Sequence, residues 1–282
     1  MIHQEAEWAR DRLEADYTAR DCCTTEAFEA TIRAYADSSA AARATLPCQS
    51  DLLFDETTGQ RLDLLGADTA SPRPLMVFVH GGYWRALSKG HSTFAAPMLA
   101  AQGIATAAPD YRLAPDASIV EIVHDVRQSI AWLWHNAADL GIDRRRIVVA
   151  GSSAGGHLAG ALAAPDWPAR YGMPTHPLHG ALPISGLFEL APLAAMHVQD
   201  WMNFTPDQIA GCSPMRHLPP AGLKLGVAVA EQETAGFHRQ SAAYAEATGA
   251  PLLQVTGRHH FDVILDLCAP QTPLSRMLLS LF

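Results

Sequence analysis

The sequence predicts a doubly wound α/β fold, and three observations predict it. Short apolar runs alternate with helical stretches over most of the chain after about residue 60. Most of these runs are apolar on successive residues rather than on alternate ones, as in parallel strands covered on both faces. The composition suits a large core, because 49% of the 282 residues are apolar and only 17% are charged, against a usual charged share of ~25%.

Ahead of the alternation, residues 3–20 and 24–44 read as helices. Ala, Glu and Arg are frequent there, and Thr24-Thr25-Glu26 has the form of a helix start. Pro47 stops the second segment, so residues 1–50 are expected as an N-terminal helical segment. Strands are expected at 61–65, 75–80, 104–109, 146–150, 181–185, 224–230 and 252–256. Helices are expected between them at 92–102, 118–138, 154–164 and 236–248. No internal repeat or low-complexity linker interrupts the pattern, so residues 1–282 are expected as one domain.

The net charge of −9, without a basic run, argues against nucleic acid and anionic membrane surfaces. No apolar run reaches the ~18 residues of a membrane span. The start, Met1-Ile2-His3-Gln4-Glu5-Ala6-Glu7, lacks the basic and apolar stretches of a signal peptide. Five cysteines (22, 23, 48, 212 and 268) form no CxxC pair and are odd in number. That argues against a disulfide framework or a zinc site and makes a reducing cytoplasm the simplest compartment.

Ligands of doubly wound folds bind beyond the carboxyl ends of the strands, so chemistry is sought there. After the strand at 146–150 comes Gly151-Ser152-Ser153-Ala154-Gly155-Gly156, in which Ser153 alone fits the centre of Gly-x-Ser-x-Gly. That pattern makes a sharp strand-to-helix turn with a strained serine backbone, where larger neighbours would collide. The turn lifts the hydroxyl above a helix N-terminus that favours negative charge. After the strand at 75–80 comes His80-Gly81-Gly82-Tyr83-Trp84. Backbone N–H groups of Gly82 and Tyr83, with that of Ala154, are candidate donors of an oxyanion hole. His80 reads as a structural residue of this loop, and Tyr83 and Trp84 as candidates to line a pocket or to pack against the core.

On this arrangement the chain order is Ser, acid, His. His259 and His260 follow the last strand, and His260 is favoured as the base because Phe261 opens the next helical segment. Glu231 and Glu233 both follow the strand at 224–230, and spacing does not choose between them. His176 and His179 lack further ligand partners at metal spacing, and neither a phosphate loop nor a dinucleotide fingerprint is present. No metal or cofactor is therefore expected.

Together these segments resemble the α/β-hydrolase superfamily, and within it the kynurenine formamidase (arylformamidase) group and its bacterial esterase-like relatives. The resemblance covers nearly the whole chain. It rests on His80-Gly81-Gly82-Tyr83-Trp84-Arg85, Asp110-Tyr111-Arg112-Leu113-Ala114-Pro115, Gly151 to Leu158, the stretch from Glu233 to Arg239-Gln240-Ser241, and His260-Phe261. It implies an α/β-hydrolase fold: a mostly parallel central sheet, helices on both faces, and a short cap-like insertion at 187–223. It also implies Glu233 as the acid and His260 as the base, with Phe261 beside the substrate. Animal members have Asp where this chain has Glu233, and the longer side chain requires a slightly displaced loop.

The activity so implied is that of a cofactor-independent serine hydrolase with the triad Ser153, Glu233 and His260. The expected substrate is a small carboxylic ester or an N-acyl, notably N-formyl, arylamine. Arg85 and Arg112 are candidate anchors for an anionic substrate. The expected partner is the small molecule, with a homodimer open and neither nucleic acid nor membrane. Two other classes fit the same scaffold, a non-catalytic ligand-binding relative and an acyltransferase using the same triad.

Overall fold

The computed structural model describes residues 2–282. The strands are β1 (Cys48–Leu53), β2 (Arg61–Leu65), β3 (Arg73–Val79), β4 (Ala105–Pro109), β5 (Ile142–Ser152), β6 (Gly180–Ile184), β7 (Lys224–Leu225), β8 (Val227–Gln232) and β9 (Leu252–His259). They form one open sheet in the order β1-β2-β4-β3-β5-β6-β8-β9, with β7 paired to β6. β2 runs antiparallel to both β1 and β4, and every pairing from β4 across to β9 is parallel.

The α-helices are α1 (Arg10–Tyr17), α2 (Thr25–Thr45), α3 (Ala96–Ala101), α4 (Ile119–His135), α5 (Ala137–Leu140), α6 (Ala154–Ala163), α7 (Gln199–Met202), α8 (Pro206–Cys212), α9 (Ala235–Thr248) and α10 (Pro273–Ser280). Alternate residues of one strand serve two cores. Leu75, Val77 and Val79 of β3 pack with Ile122 and Val126 of α4 and Leu158 of α6. Met76 and Phe78 pack on the other face with Met98 and Leu99 of α3 and Leu274 and Leu278 of α10. Both faces are covered, which is why these strands read as unbroken apolar runs.

The differences from the sequence reading have local causes. β1 breaks the expected helical segment 1–50, because α2 ends at Thr45 and a strand starts at Cys48. It is an edge strand with mostly exposed polar residues, so no apolar run announces it. The expected helix 3–20 is divided into a 3-10 turn (Ile2–Glu7), α1, and a second 3-10 turn (Ala19–Cys22). The strand expected at 146–150 starts earlier, at Ile142. The one expected at 252–256 runs on to His259. The strand expected at 224–230 is interrupted at Gly226, where a Cβ would lie 2.9 Å from the Met277 sulfur.

The N-terminal segment is tied to α9. Arg239 donates to Glu5 and to Asp16, each at 2.7 Å, and Gln240 donates to the Glu189 carbonyl at 2.9 Å while accepting from the Phe188 and Glu189 amides. The Arg239-Gln240 pair of the motif thus fastens both the N-terminal helices and the start of the 187–223 insertion. Among the described residues, no helix is long and apolar enough to cross a membrane.

Two buried histidines make stability depend on pH. Trp84 Nε1–H donates to His157 Nδ1 at 3.2 Å, so the His157 proton sits on Nε2 and is given to the Cys212 carbonyl at 2.8 Å. A second ring proton would face the indole N–H. Burial lowers the pKa of His157, and that of His80, to about 4. Because the folded values lie below the usual ~6.5, the unfolded chain takes up these protons first as pH falls. Their contribution is complete above pH ~6.5 and is lost toward pH ~4, to a depth of about 3 kcal/mol per histidine. The melting temperature is therefore expected to fall between pH ~6.5 and ~5, and His157→Gln to flatten that slope while lowering stability at neutral pH. Thermal denaturation across this range checks it, and an unchanged slope in the variant counts against His157.

Candidate active site

The turn from β5 into α6 is built as the local sequence requires. Ser153 has φ 60° and ψ −121°, outside the regions that ordinary residues occupy. It survives there because its neighbours are held: its N–H donates to the Ile184 carbonyl at 2.9 Å, and the His157 N–H donates to its carbonyl at 2.9 Å. Gly155 permits the turn, since a Cβ at that position would lie 2.1 Å from the Val79 carbonyl oxygen. Ser153 is 8% exposed and lies in the wall of a cavity of about 680 Å³.

The loop after β3 passes close to the same serine. A Cβ on Gly81 would lie 2.7 Å from the Ser152 carbonyl oxygen and 3.4 Å from the Ser153 Cβ. Gly82, Tyr83 and Trp84 all have positive φ, at 99°, 49° and 58°. Tyr111 braces this loop, donating to the His80 and Gly81 carbonyls at 3.0 and 3.2 Å, and its ring stacks on His80 at 4.0 Å. His80 Nδ1–H donates to the Gly81 carbonyl at 3.0 Å, the structural use expected of it. Ala154 opens α6, so its N–H belongs to the first helical turn, whose donors have no intrahelical acceptor.

His260 reaches the same cavity from the loop after β9, and it is 2% exposed. Its Nδ1–H donates to Glu233 Oε2 at 2.9 Å. The other carboxylate oxygen of Glu233 accepts from the Ala230 N–H at 2.8 Å and from the Ser185 hydroxyl. Glu231 points elsewhere and accepts from the Gly257 N–H at 2.7 Å. The imidazole and the serine thus share one cavity, with Glu233 and not Glu231 behind the ring.

The remaining expected residues divide. Tyr83 and Phe261 line the cavity. Phe261 meets Phe28 of α2 edge-on at 4.8 Å, and its carbonyl accepts from the Tyr35 hydroxyl. The Tyr83 hydroxyl donates to the Tyr17 carbonyl. Trp84 is a correction. It is fully buried in the core, edge-on to His157 and Phe204, rather than in the cavity wall. Its left-handed backbone turns the indole beneath the loop, where the N–H finds His157. Arg85 lines the cavity and lies 4.3 Å over the Trp201 ring, whereas Arg112 is committed to Asp125 at 2.8 Å and Glu121 at 3.1 Å.

The N-terminal helices and the 187–223 insertion, segments that the sequence marks as able to cover the site, both reach the wall. Phe28, Ile32 and Tyr35 come from α2, and His197 and Trp201 come from the 187–223 insertion. The insertion is latched to α1 through Glu14, which accepts from the His197 N–H at 2.8 Å and pairs with its ring. Ser185 went unread, because it meets Glu233 only through the adjacency of β6 and β8.

A family model described as BD-FAE matches residues 62–166. The kynurenine formamidase of Danio rerio is 28% identical over an alignment covering 97% of this chain and 96% of that protein. The crystal structure of a candidate thioesterase from a Silicibacter species superposes with a TM-score of 0.82 at 29% identity, covering 94% of this chain and 97% of that one. An esterase from Pyrobaculum calidifontis superposes with a TM-score of 0.70 at 20% identity, covering 90% and 92%. The chain has the α/β-hydrolase fold, with an open, mostly parallel sheet. Within that fold it resembles the arylformamidase-like esterases, and these likenesses support a hydrolase of the esterase or formamidase type.

Proposed function

We propose that the protein is a serine hydrolase that cleaves a small carboxylic ester or an N-acyl arylamine through an acyl-enzyme. One observation carries the reading: a serine in a strained strand-to-helix turn shares a cavity with a buried imidazole whose Nδ1 is held by a carboxylate at 2.9 Å. Ser153 Oγ attacks the carbonyl carbon while His260 Nε2 takes its proton. The oxyanion is held by the backbone N–H groups of Gly82, Tyr83 and Ala154, each such donor contributing about 3 kcal/mol to the lowering of the barrier. His260 then gives the proton to the departing alcohol or amine. A water, deprotonated by the same imidazole, attacks the acyl carbon and frees Ser153. Glu233 keeps the ring in the tautomer with Nε2 open and stabilises its cation. Similarity to the kynurenine formamidase of Danio rerio supports an N-formyl arylamine as the substrate of this chain.

The cavity supports a substrate with an aromatic or acyl body. Its volume falls within the usual ~300–1,000 Å³ of small-molecule sites, and Phe28, Ile32, Tyr83, Trp201 and Phe261 supply apolar walls. Arg85 is the anchor for a carboxylate on the substrate, since Arg112 is already paired. The test compares rates on N-formyl-L-kynurenine, simple anilides and p-nitrophenyl esters of increasing acyl length. Turnover of the formyl arylamine and short esters, collapsing as the acyl chain lengthens, is expected. Folded protein that turns over none of them and takes no fluorophosphonate label overturns the reading in favour of a ligand-binding relative. Preferential transfer to an added alcohol points to an acyltransferase.

A further inference from the structure

A second cluster of potential ligands lies beside the loop of His260. Cys22 ends a 3-10 turn, and Cys23 is extended (φ −156°, ψ 163°) just before α2. One ligand atom from each of Cys22, Cys23 and His259 lies within 4.8 Å of the other two, and all three side chains are half-buried. We propose that Cys22, Cys23 and His259 bind a soft divalent cation such as Zn²⁺, and that its occupancy restrains the loop holding His260.

The donor set decides the class of ion. Two thiolates and an imidazole suit Zn²⁺, whereas Mg²⁺ and Ca²⁺ require oxygen ligands. Tetrahedral zinc–ligand distances of about 2.0–2.3 Å put the donors roughly 3.3–3.8 Å apart, so separations of up to 4.8 Å close by about 1 Å on binding. Three protein ligands leave a fourth position for water. As each sulfur–metal bond forms, the thiol gives its proton to solvent. His259 Nδ1 accepts from the Phe261 and Asp262 N–H groups at 3.2 and 3.3 Å, which fixes the orientation of the ring. Arg20 Nη1, 3.6 Å from the Cys23 sulfur, supplies a counter-charge to the thiolates. The cysteines are adjacent rather than spaced, and the third donor comes from the far end of the chain, so motif spacing could not reveal the site.

The link to chemistry is chain adjacency. His259 directly precedes His260. An ion joining His259 to Cys22 and Cys23 therefore holds the base's backbone against the segment before α2. This restraint rests on the function proposed above, whereas binding of the ion does not.

The full chain is titrated with Zn²⁺ alone, and with Cd²⁺ while thiolate-to-cadmium charge-transfer absorption is followed. Stoichiometric binding is expected, with that absorption and an ester-hydrolysis rate lowered about tenfold and restored by a chelator. Cys23→Ser is expected to keep its metal-free rate but to lose most of the absorption and bind about tenfold more weakly or worse. Cys22→Ser repeats the binding measurement should the first variant fold poorly. No stoichiometric binding of either ion, or variants that bind like the parent, overturns the site. Stoichiometric binding with an unchanged rate overturns the restraint on His260. Binding by a protein that hydrolyses no substrate supports the site and places the failure on the proposed function.

Discussion

Replacing Ser153 with Ala is expected to lower kcat by about 10⁴–10⁶ and to abolish fluorophosphonate labelling. The loss is large because the covalent ester forms on the Ser153 hydroxyl, which Ala lacks. What remains is binding and the backbone donors, worth a residual ~10³–10⁴ over water. The fold should survive. Ala at this position keeps the amide that donates to the Ile184 carbonyl at 2.9 Å, and the glycines that admit the turn are untouched. Purified variant measured on the best ester, with its melting temperature alongside, checks the expectation. A variant that is folded and retains more than a tenth of the parent rate removes Ser153 from the mechanism.

Glu233→Gln is expected to lower kcat by about 10²–10⁴ with little change in KM. Glu233 uses one oxygen to accept from Ala230 N–H and the Ser185 hydroxyl, and the other to accept from His260 Nδ1. A Gln keeps the first pair of bonds by placing its amide oxygen there, which aims its NH₂ at the imidazole. Nδ1 must then accept, the ring proton moves to Nε2, and the base cannot take the serine proton. Glu231→Gln should leave kcat within about twofold, because that side chain serves the Gly257 amide. Ser185→Ala removes one neutral donor and is expected to cost about tenfold or less. An equal loss from Glu231→Gln reverses the assignment of the acid.

How much of this site was legible depends on how local each part is. The turn at Ser153 is readable because Gly151 and Gly155, each two positions away, are what admit it. For Trp84, in contrast, the sequence does not choose between the pocket and the core, and the structure buries it in the core. Its neighbours His157 and Phe204 are distant in sequence, and a left-handed backbone at Trp84 decides which way the indole turns. The two carboxylates differ by only two positions, yet one points to the imidazole and the other to a surface loop. Spacing is blind to that choice, and the preference for Glu233 came from the resemblance. The edge strand β1 was missed for the opposite reason, since one-sided pairing places no apolar demand on its residues.

From sequence alone come the parallel sheet, the serine turn and the glycine loop, because apolar runs and steric exclusion are written into consecutive residues. Only the tertiary structure decided what surrounds them. The cavity wall is assembled from α2, the 187–223 insertion and the loop after β9, segments far apart in the chain. The physical reason is that side-chain chemistry at a distance depends on sheet order and helix docking, which no local pattern encodes. The same docking brings Cys22 and Cys23 to His259.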